Sequence, residues 1–283
     1  MHYRSRSELG EALLKAAALG SVARIRKLLT LRADVNTLDR QRDTPLHLAS
    51  WLGHHQCVEL LLDRHADVNA VGWQCDTPLH YASKKGHHQC IELLLERQAD
   101  IHARGKQGRA PLHLASKKGH HQCIELLLDR HADIHALDVN DDTPLHYASM
   151  KGHHQCIKLL LDRHADIDAR GSVGCTPLHF TSEEGLDQCV ELLLDRHADP
   201  NVPDDLKQPP LHCASFNGHH RCIELLIDHG ANKYLTDVRH CVPSLLLARS
   251  SNLNILPASH TRMSLSLSLS LSLRIDFSIS QPS

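Results

Sequence analysis

The sequence predicts an all-α solenoid of stacked helix-turn-helix units joined by short hairpin-like finger turns. Two observations carry that expectation. Pro45, Pro78, Pro111, Pro144, Pro177 and Pro210 each open a Pro-Leu-His triplet, and successive triplets are 33 residues apart with no insertion or deletion. A fixed period of this size marks one supersecondary unit that buries its apolar side only against its own copies. Each copy also carries a helix-start signal, a glycine stop and a second apolar run, so the unit is a pair of helices. Function then belongs to a continuous surface and not to a pocket.

The copy beginning at Asp76 shows how one unit is built. Thr77 before Pro78 reads as a helix start, with a hydroxyl at the N-cap and a proline at the first turn, where no donor is needed. Gly86 ends that helix with a left-handed residue. A second helix runs through Cys90, Ile91, Leu93, Leu94 and Leu95 and stops near Arg97. Ala99 to His102 and a polar turn lead to the next pair. Helices of about ten residues are marginal alone, so stacking must stabilise them.

These residues resemble the ankyrin repeat in the Thr-Pro-Leu-His motif, the Gly-His that follows it, and the Ala-Asp-Val-Asn turn of Ala66 to Asn69. The resemblance covers about residues 8–236. It divides the chain into an N-terminal segment (1–7), an N-terminal capping repeat (8–40), six repeats (41–236), a truncated degenerate unit (237–256) and a low-complexity Ser/Leu tail without fold (257–283). Glu11 to Leu14 in the first unit aligns 33 residues before Thr44 to His47 but lacks the proline and starts with polar residues, as an end cap should. In the truncated unit, Pro243 aligns with Pro210, and Pro257 stops its second helix. The resemblance further implies that the Pro-Leu-His histidines tie neighbouring helix starts together. It also implies that glycine should end the second helix, where this chain has His65, Gln98, His131, His164 and His197, and glycine only at Gly230.

Composition narrows the function classes. The chain has 283 residues, a formal net charge of −2 and 3% aromatic residues, so neither a global field nor a set of base-stacking rings favours nucleic acid. Met1 to Gly10 has no apolar core and does not read as a signal peptide. No run approaches the roughly 20 apolar residues that span a bilayer. Ten cysteines invite a disulfide reading. Six of them (Cys57, Cys90, Cys123, Cys156, Cys189 and Cys222) occupy one site in the unit. Equivalent points on stacked helices lie about 8–10 Å apart, beyond the roughly 7 Å that a disulfide bridges. They read as small buried hydrophobes, which suits a reducing compartment, with the cytoplasm expected and the nucleus as alternative.

The 26 histidines invite a metal reading, since His and Cys of the Gly-His-His-Gln-Cys segments stand three apart on a helix. A structural zinc needs four converging ligands, and the next set lies a full unit away, so no metal and no cofactor is expected. Catalysis finds no phosphate loop and no nucleophile elbow. His, Cys and Asp recur equivalently in every unit, whereas an active site is a unique constellation; no enzyme is expected.

The copies disagree in two places: the turn before each helix start and the pair before each helix-ending glycine. In ankyrin proteins these positions form the finger tips and the concave helix face that bind partners. The pairs are Trp51-Leu52, Lys84-Lys85, Lys117-Lys118, Met150-Lys151, Glu183-Glu184 and Phe216-Asn217; the turns contribute Arg40, Trp73, Lys106, Arg109, Val139 and Asp205. Both tryptophans fall here as candidate anchors. Lys84, Lys85, Lys106, Arg109, Lys117, Lys118 and Lys151 form a basic centre, and Glu183 and Glu184 reverse the sign further along. The expected function is a non-enzymatic protein-interaction scaffold whose partner segment carries apolar and acidic groups. The alternatives are a substrate-receptor subunit of a ubiquitin ligase, which would need a C-terminal SOCS box in Val242 to Pro257, and an ankyrin-type transcription regulator.

Overall fold

The computed structural model of the protein describes residues 6–238 and Pro243. Fourteen α-helices occupy the described residues, and no strand. They come in seven pairs: α1 (Arg6–Ala18) with α2 (Val22–Thr30), α3 (Pro45–Trp51) with α4 (His55–Asp63), α5 (Pro78–Lys85) with α6 (His88–Glu96), and α7 (Pro111–Lys118) with α8 (His121–Asp129). The rest are α9 (Pro144–Met150) with α10 (His154–Asp162), α11 (Pro177–Glu183) with α12 (Asp187–Asp195), and α13 (Pro210–Asn217) with α14 (His220–Asp228). Odd helices pack on odd and even on even, so the array has two layers, and a finger links each even helix to the next odd one. Most of the segment 242–257, where a SOCS box would have to lie, most of the truncated unit and the Ser/Leu tail lie outside the described residues; of the aligned helix start only Pro243 is described, buried and helical.

The core repeats with the sequence. Leu79, Ile91 and Leu94 in one unit and Leu112, Ile124 and Leu127 in the next are fully buried. Small side chains at Ala82, Ser83, Ala115 and Ser116, also fully buried, let neighbouring odd helices approach. The six cysteines at the shared site are buried and free. Burial pushes the thiols of Cys90 and Cys123 up to about 12, which keeps them protonated and inert.

The Pro-Leu-His histidines do what the resemblance implied. His80 Nδ1 accepts the Thr77 N–H at 3.1 Å, with the Thr77 hydroxyl 2.9 Å away. Its Nε2 then carries the proton and donates at 2.9 Å to the Arg109 carbonyl, in the finger that leads to the next unit. His47, His113, His146 and His179 donate in the same way to Asp76, Asp142, Cys175 and Gln208. Burial lowers the pKa of His47 and His80 and pushes His113 and His179 down to about 4, which keeps those rings neutral. Two units depart from the pattern: Ala110 supplies an N–H but no hydroxyl to His113, and Pro209 can offer His212 neither.

A second histidine column has a role the sequence did not reveal. His54, His87, His120, His153 and His219 each donate through Nε2 to a carbonyl 36 residues earlier, on Ala18, Trp51, Lys84, Lys117 and Glu183. The ring lies flat on the helix-ending glycine of the preceding unit; a Cβ on Gly86 would meet His120 Nδ1 at 2.6 Å. At the one copy without this histidine, Leu186 covers Gly152. At the ends of the even helices His65, Gln98, His131, His164 and His197 all hold positive φ, between 62° and 66°, in the place a glycine would favour.

Candidate partner-binding face

The fingers that open at Gly72, Gly105, Asp138, Gly171 and Asp204 are each held by one buried carboxylate, supplied in one of two ways. Asp43 Oδ1 accepts the Trp73 N–H, Asp76 Oδ1 the Lys106 N–H and Asp142 Oδ1 the Ser172 N–H, each at 3.0 Å and each from the unit before. The receiving fingers carry Gly72, Gly105 and Gly171, where a Cβ would lie 2.2–2.4 Å from that carboxylate oxygen. Where the donor site holds Arg109, Cys175 or Gln208 instead, the finger has its own Asp138, Asp204 or Asp237 at the glycine site. Asp138 Oδ1 accepts from Asn140 N and Asp142 N at 2.8 and 3.1 Å; Asp204 Oδ1 accepts from Leu206 N and Gln208 N at 2.8 and 2.7 Å.

Two tyrosines find that carboxylate in either arrangement. Tyr81 Oη donates to Asp43 at 2.9 Å, and Tyr147 Oη donates to Asp138 at 2.7 Å. Burial and these carboxylates raise both phenol pKa values far above the ordinary range, so each hydroxyl remains a donor. The backbone follows the choice. Fingers that borrow a carboxylate form a short 3-10 turn with two successive left-handed residues, Gln74-Cys75, Gln107-Gly108 or Val173-Gly174; fingers with their own have one, Asp141 or Lys207, at the second of those positions.

On this frame the basic centre comes together. Lys84, Lys106, Arg109, Lys117 and Lys118 line one shallow cleft between α5 and α7, with Asp76 and Leu114. Trp51 is half-buried, edge-on to Tyr81 with ring centroids 5.3 Å apart. Lys85 Nζ stands 4.0 Å and Lys84 Nζ 5.4 Å from the Trp51 ring centroid. Trp73, 44% exposed, carries Lys106 Nζ at 5.9 Å, and Lys117 Nζ lies 5.6 Å from the Tyr147 ring. Aromatic faces and cations therefore alternate across these units.

Other candidates fall elsewhere. Met150 is a correction: only 7% exposed, it packs with Cys175 and Phe180 in a buried cluster and belongs to the interior. Arg109 is corrected in place, since it is 3% exposed and sits at the finger base, not on the tip. Arg40, Leu52, Val139, Lys151, Glu184, Phe216 and Asn217 are exposed, and Glu183 is half-exposed, but none of these lines the cleft. Asp205 is exposed and paired with Arg170 at 3.1 Å. Sequence reasoning missed Tyr81, Tyr147 and the finger carboxylates; the alternation of Asp and Gly 29 residues apart was the available signal.

Among the described residues no helix is long and apolar enough to cross a membrane. Residues 4–72, 71–138, 131–204 and 168–237 match the family described as ankyrin repeats (3 copies). A Rickettsia felis sequence named as an ankyrin repeat protein, RF_pd14, is 34% identical over 58 residues, which is 20% of this chain and 88% of that one. The crystal structure of the human ASB11 ankyrin repeat domain superposes with a TM-score of 0.72 at 29% identity, covering 78% of this chain and 98% of that chain. Stacked helix pairs, histidine-bridged helix starts and this match over nearly all described residues lead to one assignment: the chain belongs to the ankyrin-repeat family.

Proposed function

We propose that the protein is a non-enzymatic interaction scaffold that holds a partner segment along the finger-side face of its odd helices. The observation that carries the reading is the convergence of Lys84, Lys106, Arg109, Lys117 and Lys118 on one cleft beside Trp51 and Trp73. Aromatic anchors with desolvated neighbours are the residues that dominate protein interfaces, and clustered cations select acidic partners and speed their encounter. The partner segment therefore carries acidic groups opposite α5 and α7 and an apolar group against Trp51 or Trp73. The buried free thiols suit a reducing compartment, and the cytoplasm is the proposed location.

The test is capture of the natural partner by the full chain and by a variant with Lys84, Lys85, Lys117 and Lys118 changed to Glu. Loss of capture with an unchanged thermal midpoint is expected; undiminished capture rules the face out.

A further inference from the structure

We infer that the junction between the turn after α6 and the turn after α8 binds a neutral ligand, a carboxamide carried on a small apolar body. The site shares no lining residue with the basic cleft and does not depend on the reading of that face.

Along most of the array one side chain per unit bridges the turns that follow the even helices. Asn36, Asn69, Asp168 and Asn201 accept the N–H of Asp67, Asp100, Asp199 and Asn232 in the next unit, at 2.7–3.1 Å. Asn69 and Asn201 also donate through Nδ2 to the carbonyls of Gln98 and Gly230. One carboxamide thus satisfies an N–H and a C=O of the neighbouring turn. After α6 that place is held by His102. Among the described residues the equivalent N–H, that of Asp133, has no acceptor, and the equivalent carbonyl, that of His131, has no donor.

A second departure falls at the same junction. Ala110 precedes α7 where Thr77 and Thr143 precede α5 and α9, so the hydroxyl and methyl of the cap are absent as well. His135 repeats the exchange of His102 one unit later, but there Thr143 keeps the cap. Between the two departures lies a pocket of about 190 Å³. His102 and Asp133, the two ends of the unmade bridge, line it, and Ala110, Leu112, Ala132 and Ala136 supply apolar walls. An apolar cavity of about 150 Å³ is enough to hold a benzene ring.

The rim selects a neutral group. Arg104 Nη1 donates to the Gly108 carbonyl at 2.9 Å and to the Leu137 carbonyl, and Asp133 Oδ1 accepts the His135 N–H at 2.9 Å. The two charged residues are of opposite sign, and both are turned onto the chain. A carboxamide ligand replaces the asparagine that this junction lacks: its oxygen accepts the Asp133 N–H, and its own N–H donates to the His131 carbonyl. Its apolar body covers the alanines and Leu112, which stabilises the complex in proportion to the area removed from water. The amide belongs either to a free small molecule or to a peptide group beside an apolar side chain of a partner.

The experiment titrates isotope-labelled full chain with benzamide and follows the Asp133 N–H and the methyls of Ala132 and Ala136 by NMR. Methyl benzoate keeps the ring without the N–H, and acetamide keeps the amide without the ring. Benzamide is expected to saturate these signals, about threefold more tightly than methyl benzoate and about tenfold more tightly than acetamide. His102→Asn, which supplies the chain's own carboxamide, is expected to weaken benzamide by about tenfold without lowering the thermal midpoint. Ala110→Thr, which narrows the pocket, should weaken it too, and if either variant misfolds the other must show the loss. A five-residue peptide with one phenylalanine among glycines distinguishes the sources: tighter binding than benzamide assigns the amide to a partner chain, weaker binding to a free molecule. The inference is overturned if the Asp133 N–H shows no saturable shift, if the ester or acetamide binds as tightly as benzamide, or if the folded variants bind benzamide as the native chain does.

Discussion

The finger that leads to α7 and the finger that leads to α9 need the same thing and obtain it from opposite directions. The first borrows the Asp76 carboxylate from the preceding unit and leaves room for it with Gly105. The second cannot borrow, because Arg109 stands where the aspartate would be, and so provides Asp138 itself. Tyr147 then bonds Asp138 as Tyr81 bonds Asp43. The comparison teaches that variation among finger residues has two sources. Part of it belongs to the surface and is open to partners; part of it is the trace of two packing solutions that differ by where one carboxylate is attached. Val139 and Asp205 stand on fingers of the second kind, Trp73 and Lys106 on fingers of the first.

The largest expected effect tests the histidines on which both kinds of finger rest. His113 and His179, held at about 4 when folded, bind protons in the unfolded chain from about 6.5 downward. The unfolded state therefore holds more protons across that window. Stability is fully present above about pH 6.5 and is lost progressively as the pH falls toward about 4. Urea midpoints measured across this range should fall steadily, and a flat profile would contradict the neutral bridging ring.

The comparison itself is broken by forcing two carboxylates into one finger. Arg109→Asp alone should destabilise on the order of 3 kcal/mol, because the new carboxylate meets the Asp138 side chain where the borrowing fingers have glycine. Adding Asp138→Gly converts the finger to the borrowing kind and should restore most of that loss, a coupling of roughly 1–3 kcal/mol in a double-mutant cycle. Additive losses would show that the two arrangements are not interchangeable.

Tyr147→Phe sharpens the same point by removing a bond to a buried carboxylate, at a cost of about 1.5–3 kcal/mol. Denaturant melts of this variant and of Tyr81→Phe should agree, since the carboxylate occupies the same spot in both. A smaller gain is expected next door, where Ala110→Thr supplies the missing hydroxyl at the cap and should stabilise by about 1 kcal/mol. A midpoint that drops would mean the site has lost room for it. Far from the fingers, His131→Gly and His164→Gly should each gain up to about 1 kcal/mol by relieving positive φ. Midpoints that stay level or fall in both would refute that account.

Much of this was legible in the residues. Thr77-Pro78, Gly86 and the apolar run after Cys90 placed each helix of a unit, because capping, glycine stops and amphipathic spacing act over a few residues. The bridging role of His80 came with the family resemblance. The column of His54, His87, His120 and His153 was not read, because its acceptors lie 36 residues away on another helix. Met150 was misplaced for a related reason: at a position otherwise filled by Trp51, Lys84 and Lys117, only its contact with Phe180 makes it interior.

The period of 33 residues, the helix pairs, the buried cysteines and the basic character of the middle units were determined by the chain alone, since they depend on local propensity and on side chains repeating in register. Which carboxylate holds each finger, and the gathering of Lys84, Lys106, Arg109 and Lys117 around one cleft, were decided only when neighbouring units stacked. Those contacts join residues about one repeat apart, and nothing short of the packed array brings them within reach.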